Sequence, residues 1–220
     1  MNIRDAYQDF TFRLNKLGTN ANQNVGYPQF VSLMNKAQLH WAESRIKVAE
    51  ERTTRVDELQ QLLEDYESVA AGKKENFYRI NLPGDYFHRH RAYAQVKDCD
   101  GVVYCHFVEE GNINSLLQGS NTAPSAAWEE TLATVFRGQL RVYFTDFSLA
   151  KVYLKYFRFP RPVDIAGYLR TDGLPSVDVD LEFTGVNAQE IIDFAVLLAS
   201  NDTGDIVRAQ IMSRQVQENN

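Results

Sequence analysis

Apolar residues recur every three or four positions at both ends of the chain and every second position in its middle. The first eighteen residues place five apolar side chains on one stripe, with Asn2 able to cap the helix and Gly18 able to end it. The stripe consists of Ile3, Tyr7, Phe10, Leu14 and Leu17. This spacing predicts an amphipathic helix at the N-terminus.

A second helix is predicted to start near Pro28, because proline suits the first helical turn. From there to Ala71 no further proline and no glycine interrupts the chain. The apolar stripe of this segment is formed by Phe30, Met34, Ala37, Trp41, Ile46, Val56, Leu59, Leu63, Tyr66 and Ala70. An unbroken helix would be roughly 65 Å long. The polar residues 50–55 are where a bend in this helix or a turn between two helices is expected. Its stripe exceeds what the first helix can cover, which predicts packing against the rest of the chain or another subunit.

From Asn76 onward the apolar period changes to two, which is typical of strands. Asp100-Gly101 and Arg137-Gly138 each separate two such runs and predict hairpin turns. Residues 111–127 are rich in Asn, Ser and Gly and predict an extended loop. The middle of the chain is therefore predicted to be an antiparallel sheet of about five strands built from local hairpins.

The C-terminal part returns to a helical pattern, with Asn187 and Glu190 spaced as in a capping box. The predicted fold class is α+β. The N-terminal long helices of residues 1–75 and the C-terminal helices of residues 187–220 are expected to pack as a helical layer. An antiparallel β-meander domain, residues 76–186, is inserted between them.

The stretch KVYLKYFRFPRPVD, residues 151–164, alternates aromatic residues with cations. As a strand it would turn aliphatic side chains toward the core and Lys151, Tyr153, Lys155 and Phe157 to the opposite face. The preceding strand would add Arg141 and Tyr143 to that face. Three interpretations fit this pattern: an ordinary half-exposed sheet, a contact between subunits, and a platform on which bases stack.

Trp128 closes the long loop and could anchor it on its own core or enter a pocket of a neighbouring subunit. The candidate subunit-interface residues are Trp128, Tyr143, Tyr153, Lys155, Phe157, Phe159 and Arg161.

Charge and composition narrow the functional classes. The formal net charge of −6 over 220 residues argues against a dedicated DNA-binding protein. No tract approaches the roughly 20 apolar residues that span a bilayer, so a soluble chain without membrane association is expected.

The sequence gives little indication of a catalytic site or a metal-binding site. It contains none of the common nucleophile, phosphate-loop or zinc-protease motifs, and the chain is predicted not to be an enzyme. His88 and His90 share one strand face, but two ligands do not make a zinc site. Cys99 and Cys105 are not expected to form a disulfide. No catalytic, metal or cofactor-binding residue is therefore predicted.

Two segments resemble phage proteins. YRINLPGDYFHRH, residues 78–90, resembles a segment that opens the sheet domain of phage head-to-tail adaptor proteins. VYLKYFRFPRPVDI, residues 152–165, followed by VNAQEIIDFAVLLA, residues 186–199, resembles their return strand and first C-terminal helix. The order of elements is similar to connector and ring proteins of short-tailed phages, including crAss-like phages. Gly84 departs from the alanine that members often have.

The resemblance implies a virion component that forms a ring beneath the portal and links the head to the tail. Such a protein is a cyclic homo-oligomer of about twelve copies, in contact with the portal and with other tail or ring proteins. Genomic DNA would pass through it without sequence-specific binding. It would reside at the head-to-tail junction of the virion and in the host cytoplasm during assembly.

A second hypothesis comes from the residues alone. The aromatic and basic strand face at 141–157 could belong to a single-stranded nucleic-acid-binding module. That module would use Tyr143, Lys151, Tyr153, Lys155 and Phe157.

Overall fold

The computed structural model describes residues 1–16, 24–51, 56–70, 74, 76–97 and 101–202. It confirms a mixed α+β chain, which divides into two compact units. One unit comprises Met1–Gln61 with Pro160–Asn220, and the other comprises Leu62–Phe159. The boundaries fall at 61/62 and 159/160, where the sequence placed them at 75/76 and 186/187.

Within the described residues there are four α-helices: α1, Ile3–Lys16; α2, Tyr27–Glu51; α3, Ile113–Gln118; and α4, Gly185–Asp202. Short 3-10 helices span Val56–Leu62 and Glu110–Asn112. The strands are β1, Leu63–Val69; β2, Phe77–Asn81; β3, Tyr86–Val96; β4, Val102–Phe107; β5, Glu130–Phe136; β6, Gln139–Tyr143; and β7, Leu149–Arg158.

The N-terminal helix forms as predicted. The Asn2 side chain accepts a hydrogen bond from the Arg4 N–H over 2.9 Å and caps α1. Ile3, Phe10 and Leu14 are fully buried, and α1 packs on α4. Leu17 and Gly18, the predicted end of the helix, lie outside the described residues.

The predicted helix over residues 28–71 is wrong in its second half. α2 ends at Glu51, and Leu63–Val69 is strand β1, paired antiparallel with β7. The register places Asp65 opposite Lys155, and the Lys151 amine lies 2.6 Å from Glu67. Pairing with a strand far along the chain thus overrides a local helical pattern.

The sheet is larger and less regular than the predicted meander. Its described part has seven strands in the order β1-β7-β3-β4-β5-β6-β2. Strands β4 and β5 are parallel, so their connection has to cross over, and α3 forms within the segment predicted as an extended loop at 111–127. Ile113 of α3 packs with Leu132 and Tyr143 on the sheet.

Residues 160–184 belong with the helices and not with the sheet. The Asn35 side chain of α2 donates to the Val163 carbonyl over 3.1 Å and accepts from the Val163 N–H over 2.8 Å. The Phe183 ring packs on the Trp41 ring with centroids 4.9 Å apart. Two hydrogen bonds and a buried ring contact thus attach this irregular segment to α2.

A buried polar network ties α2 to α4. The Trp41 indole N–H and the Arg45 guanidinium both donate to one carboxylate oxygen of Glu190, over 2.7 and 2.6 Å. Arg45 is only 2% exposed and also pairs with Glu58 at 3.2 Å. Both carboxylates compensate the cost of burying the arginine charge.

Candidate interface surface

The two faces of the sheet differ in what covers them. One face carries the alternating small and aliphatic side chains of the core, such as Ala92, Ala94 and Val152. Since side chains alternate along a strand, the residues between them lie on the opposite face. On that face Tyr104, Tyr93 and Tyr153 are directly opposite one another on β4, β3 and β7. We call these three residues the tyrosine row.

The tyrosine row is ordered and partly open to solvent. The rings of Tyr93 and Tyr153 are stacked, with centroids 4.8 Å apart and an angle of 14° between their planes. Tyr104 is 58% exposed. The row therefore presents two stacked, half-buried rings beside one exposed ring.

Charges of both signs border the tyrosine row. The Lys151 amine lies 2.6 Å from Glu67 and the Lys155 amine 3.4 Å from Asp65. The hydrogen bond to Glu67 raises the pKa of Lys151 above its ordinary value. Each lysine thus has a carboxylate beside it, and this part of the face is not a purely basic patch.

Four of the seven predicted interface residues have their side chains on this face, and of these Tyr153 and Lys155 are partly exposed. Tyr143 and Phe157 are instead buried, at 3% and 2% exposure. Tyr143 and Tyr153 lie on the same face, but their strands are not neighbours as expected, because β3, β4 and β5 separate β6 from β7 and Tyr143 packs with Ile113 of α3.

The remaining predicted residues lie elsewhere. Trp128 is 59% exposed in the connection that precedes β5. Phe159 is 45% exposed and contacts the Phe87 ring, with centroids 4.7 Å apart. Arg161 is exposed and belongs to the helical unit, where its N–H donates to the Glu182 side chain.

Sequence reasoning missed Tyr93 and Tyr104. The alternation around Tyr93 in HRAYAQV indicates that its side chain is on the face opposite the alanines. No local pattern shows that β3 pairs with β7, so the stacking of Tyr93 on Tyr153 was not predictable. The tyrosine row forms because β3 pairs with β7, a strand more than 50 residues further along the chain, in a register that puts Tyr93 opposite Tyr153.

The described residues contain no group of three or more His, Cys, Asp or Glu side chains that could hold a metal ion. The pKa of His90 is lowered by burial and by the charges of Arg91 and Lys155. Cys105 is buried, which raises the pKa of its thiol to about 12. Cys99 lies outside the described residues.

None of the helices in the described part of the chain is both long enough and apolar enough to cross a membrane. No protein-family model matches the chain, and none of the curated proteins matches its sequence.

Proposed function

We propose that this protein is a structural component of a tailed-phage virion, an adaptor that assembles into a ring between portal and tail. The observation that carries the proposal is the tyrosine row, in which two stacked, half-buried rings lie beside the exposed ring of Tyr104 and are bordered by paired charges. The resemblance of residues 78–90 and 152–165 to phage adaptor proteins supplies the biological setting.

Tyrosine side chains are well suited to a contact with a protein partner. Tyrosines have a large apolar ring, few rotatable bonds and a hydroxyl group that can be hydrogen-bonded, and they are enriched at the centres of protein interfaces. Stacking has already fixed the rings of Tyr93 and Tyr153, so less side-chain entropy is lost when they are covered. The paired charges beside them match an interface rim.

In the proposed assembly the tyrosine row contacts another subunit or a neighbouring ring protein. The helices of the other unit would form the helical layer of the ring and contact further virion proteins. The acidic net charge of −6 is compatible with a protein past which DNA slides without being gripped.

Assembly of variants tests the proposal. Tyr153→Asp would place an unpaired charge in the contact and is expected to weaken assembly by about 100-fold or more, with the monomer still folded. Phe12→Asp is the matched control, because Phe12 is 66% exposed on α1. Mass photometry measures the oligomers and circular dichroism the fold. Assembly of Tyr153→Asp equal to that of the control would contradict the proposal.

A second candidate function rests on the same stacked rings, since bases of single-stranded nucleic acid stack on such platforms. Against it, Glu67 and Asp65 accompany the lysines that would contact phosphates. Fluorescence anisotropy with a labelled oligothymidine at low salt distinguishes nucleic-acid binding from the proposed adaptor function. Micromolar binding with a steep salt dependence would favour this second function, and a flat titration would remove it.

A further inference from the structure

The described part of the sheet ends in two edge strands. Strand β1 lies at one end and β2 at the other, and within the described residues neither has a strand on its outer side. On β1, Asp65 and Val69 are 75% and 67% exposed. Open edges with accessible backbone groups are the places where a further strand can add.

The ladder pattern shows which backbone groups face outward. The Ala70 N–H donates to the Ala150 carbonyl, so alternate residues of β1 bond to β7 and those between them point away. On β1 the outward residues include Asp65 and Glu67. On β2, where the Phe144 N–H bonds to Asn76, the outward residues are Phe77, Arg79 and Asn81. The Phe77 carbonyl already accepts from Lys74, which leaves Arg79 and Asn81.

The directions of the two edges are compatible with each other. Five of the six strand pairs are antiparallel and one is parallel, so β1 and β2 run in opposite directions. Two copies placed side by side in the same orientation would therefore bring β1 of one against β2 of the other as an antiparallel pair. The outward residues of both strands have their side chains on the face of the tyrosine row. The sheet could thus continue across copies with this face on one side.

The charges of the edge residues favour a contact between β1 and β2 over a contact between two β1 strands or two β2 strands. The outward residues of β1 carry the carboxylates of Asp65 and Glu67, which lie beside Lys155 and Lys151 of the same chain, whereas β2 carries the Arg79 guanidinium. Two β1 edges would oppose carboxylates to carboxylates, and two β2 edges would oppose arginine to arginine. Within its own chain Arg79 is directly opposite Arg141, whose guanidinium is already paired with Glu110.

We propose that copies of this chain associate head to tail by antiparallel addition of β1 of one copy to β2 of the next. The inference rests on the proposed function and deepens it by specifying the contact. Because each copy uses two different edges, the contact is heterologous, and it generates a closed ring where the rotation between copies closes. Asp65 or Glu67 of one copy would then pair with Arg79 of the next across the new ladder.

Charge reversal tests the pairing. Glu67→Lys and Arg79→Glu are each expected to weaken association about tenfold, and the double variant is expected to return to within about threefold of the original. Asp146→Lys combined with Arg79→Glu is the matched control, because Asp146 is exposed and outside both edges. Analytical ultracentrifugation up to about 1 mM protein measures association. The control pair is expected to show no rescue.

Amide hydrogen exchange provides the second measurement. Strand addition should slow exchange at Asp65, Glu67, Arg79 and Asn81 as the protein concentration rises, because their N–H groups become hydrogen-bonded. Association that tolerates both single variants and protects none of these amides would overturn strand addition and leave the proposed function standing. Chains that neither associate nor gain protection at the highest concentration would also overturn strand addition. Absence of the protein from purified virions would overturn the proposed function instead.

Discussion

Two tyrosine hydroxyl groups are hydrogen-bonded to carboxylates in partly buried positions. The Tyr156 hydroxyl donates to Asp85 over 2.9 Å, and the Tyr168 hydroxyl donates to Asp164 over 2.7 Å. Burial, followed by these hydrogen bonds, raises the pKa of each phenol to about 12. At the scale of single residues, folding therefore favours the neutral phenol at both positions.

This gives a prediction for alkaline pH. Because each folded-state pKa is above the ordinary value of 10.0, the stability gained is complete below pH 10 and is lost as the pH rises toward 12. Tyrosinate absorbance should show Tyr156 and Tyr168 in a late-ionising fraction. Tyr156→Phe and Tyr168→Phe should each remove one proton equivalent from that fraction. An unchanged late fraction in both variants would contradict the assignment.

At the scale of elements, the sequence predicted those structures that depend on neighbouring residues and missed those that depend on pairing with a strand far along the chain. α1 could be predicted together with its Asn2 cap, because the cap and the apolar stripe are defined within the same few residues. β1 was predicted as helix, since its conformation is determined by pairing with β7. Similarly, alternation predicted Tyr153 and Lys155 on the open face of β7. It could not predict Tyr93 beside them.

The register of β1 leads to a prediction with two proline variants. The Ser68 N–H points toward β7, whereas the Val69 N–H points outward. Ser68→Pro removes a ladder hydrogen bond and should lower the free energy of unfolding by about 1–3 kcal/mol more than Val69→Pro does. Urea denaturation measures the difference. Equal destabilisation by both prolines would mean that the register is wrong.

At the scale of the whole molecule, the tyrosine row and the two sheet edges belong to one unit, Leu62–Phe159. In an assembly the sheet could therefore make two kinds of contact. One is packing of a partner on the tyrosine row, and the other is strand addition at β1 and β2. Strand addition along the edges would bring the tyrosine rows of successive copies onto one continuous surface. This arrangement suits a ring that stacks on another ring in the virion.

The central claim is that copies of this protein assemble into a ring that uses this sheet as a contact surface. If the chain is a virion protein, as we propose, electron cryo-microscopy of the particle tests the claim most directly, at a resolution that shows side chains at the head-to-tail junction. The account predicts a closed annulus of this chain in which Tyr93, Tyr104 and Tyr153 are covered by another subunit or ring protein. A particle without such an annulus, or an annulus in which all three tyrosines face solvent, would contradict it.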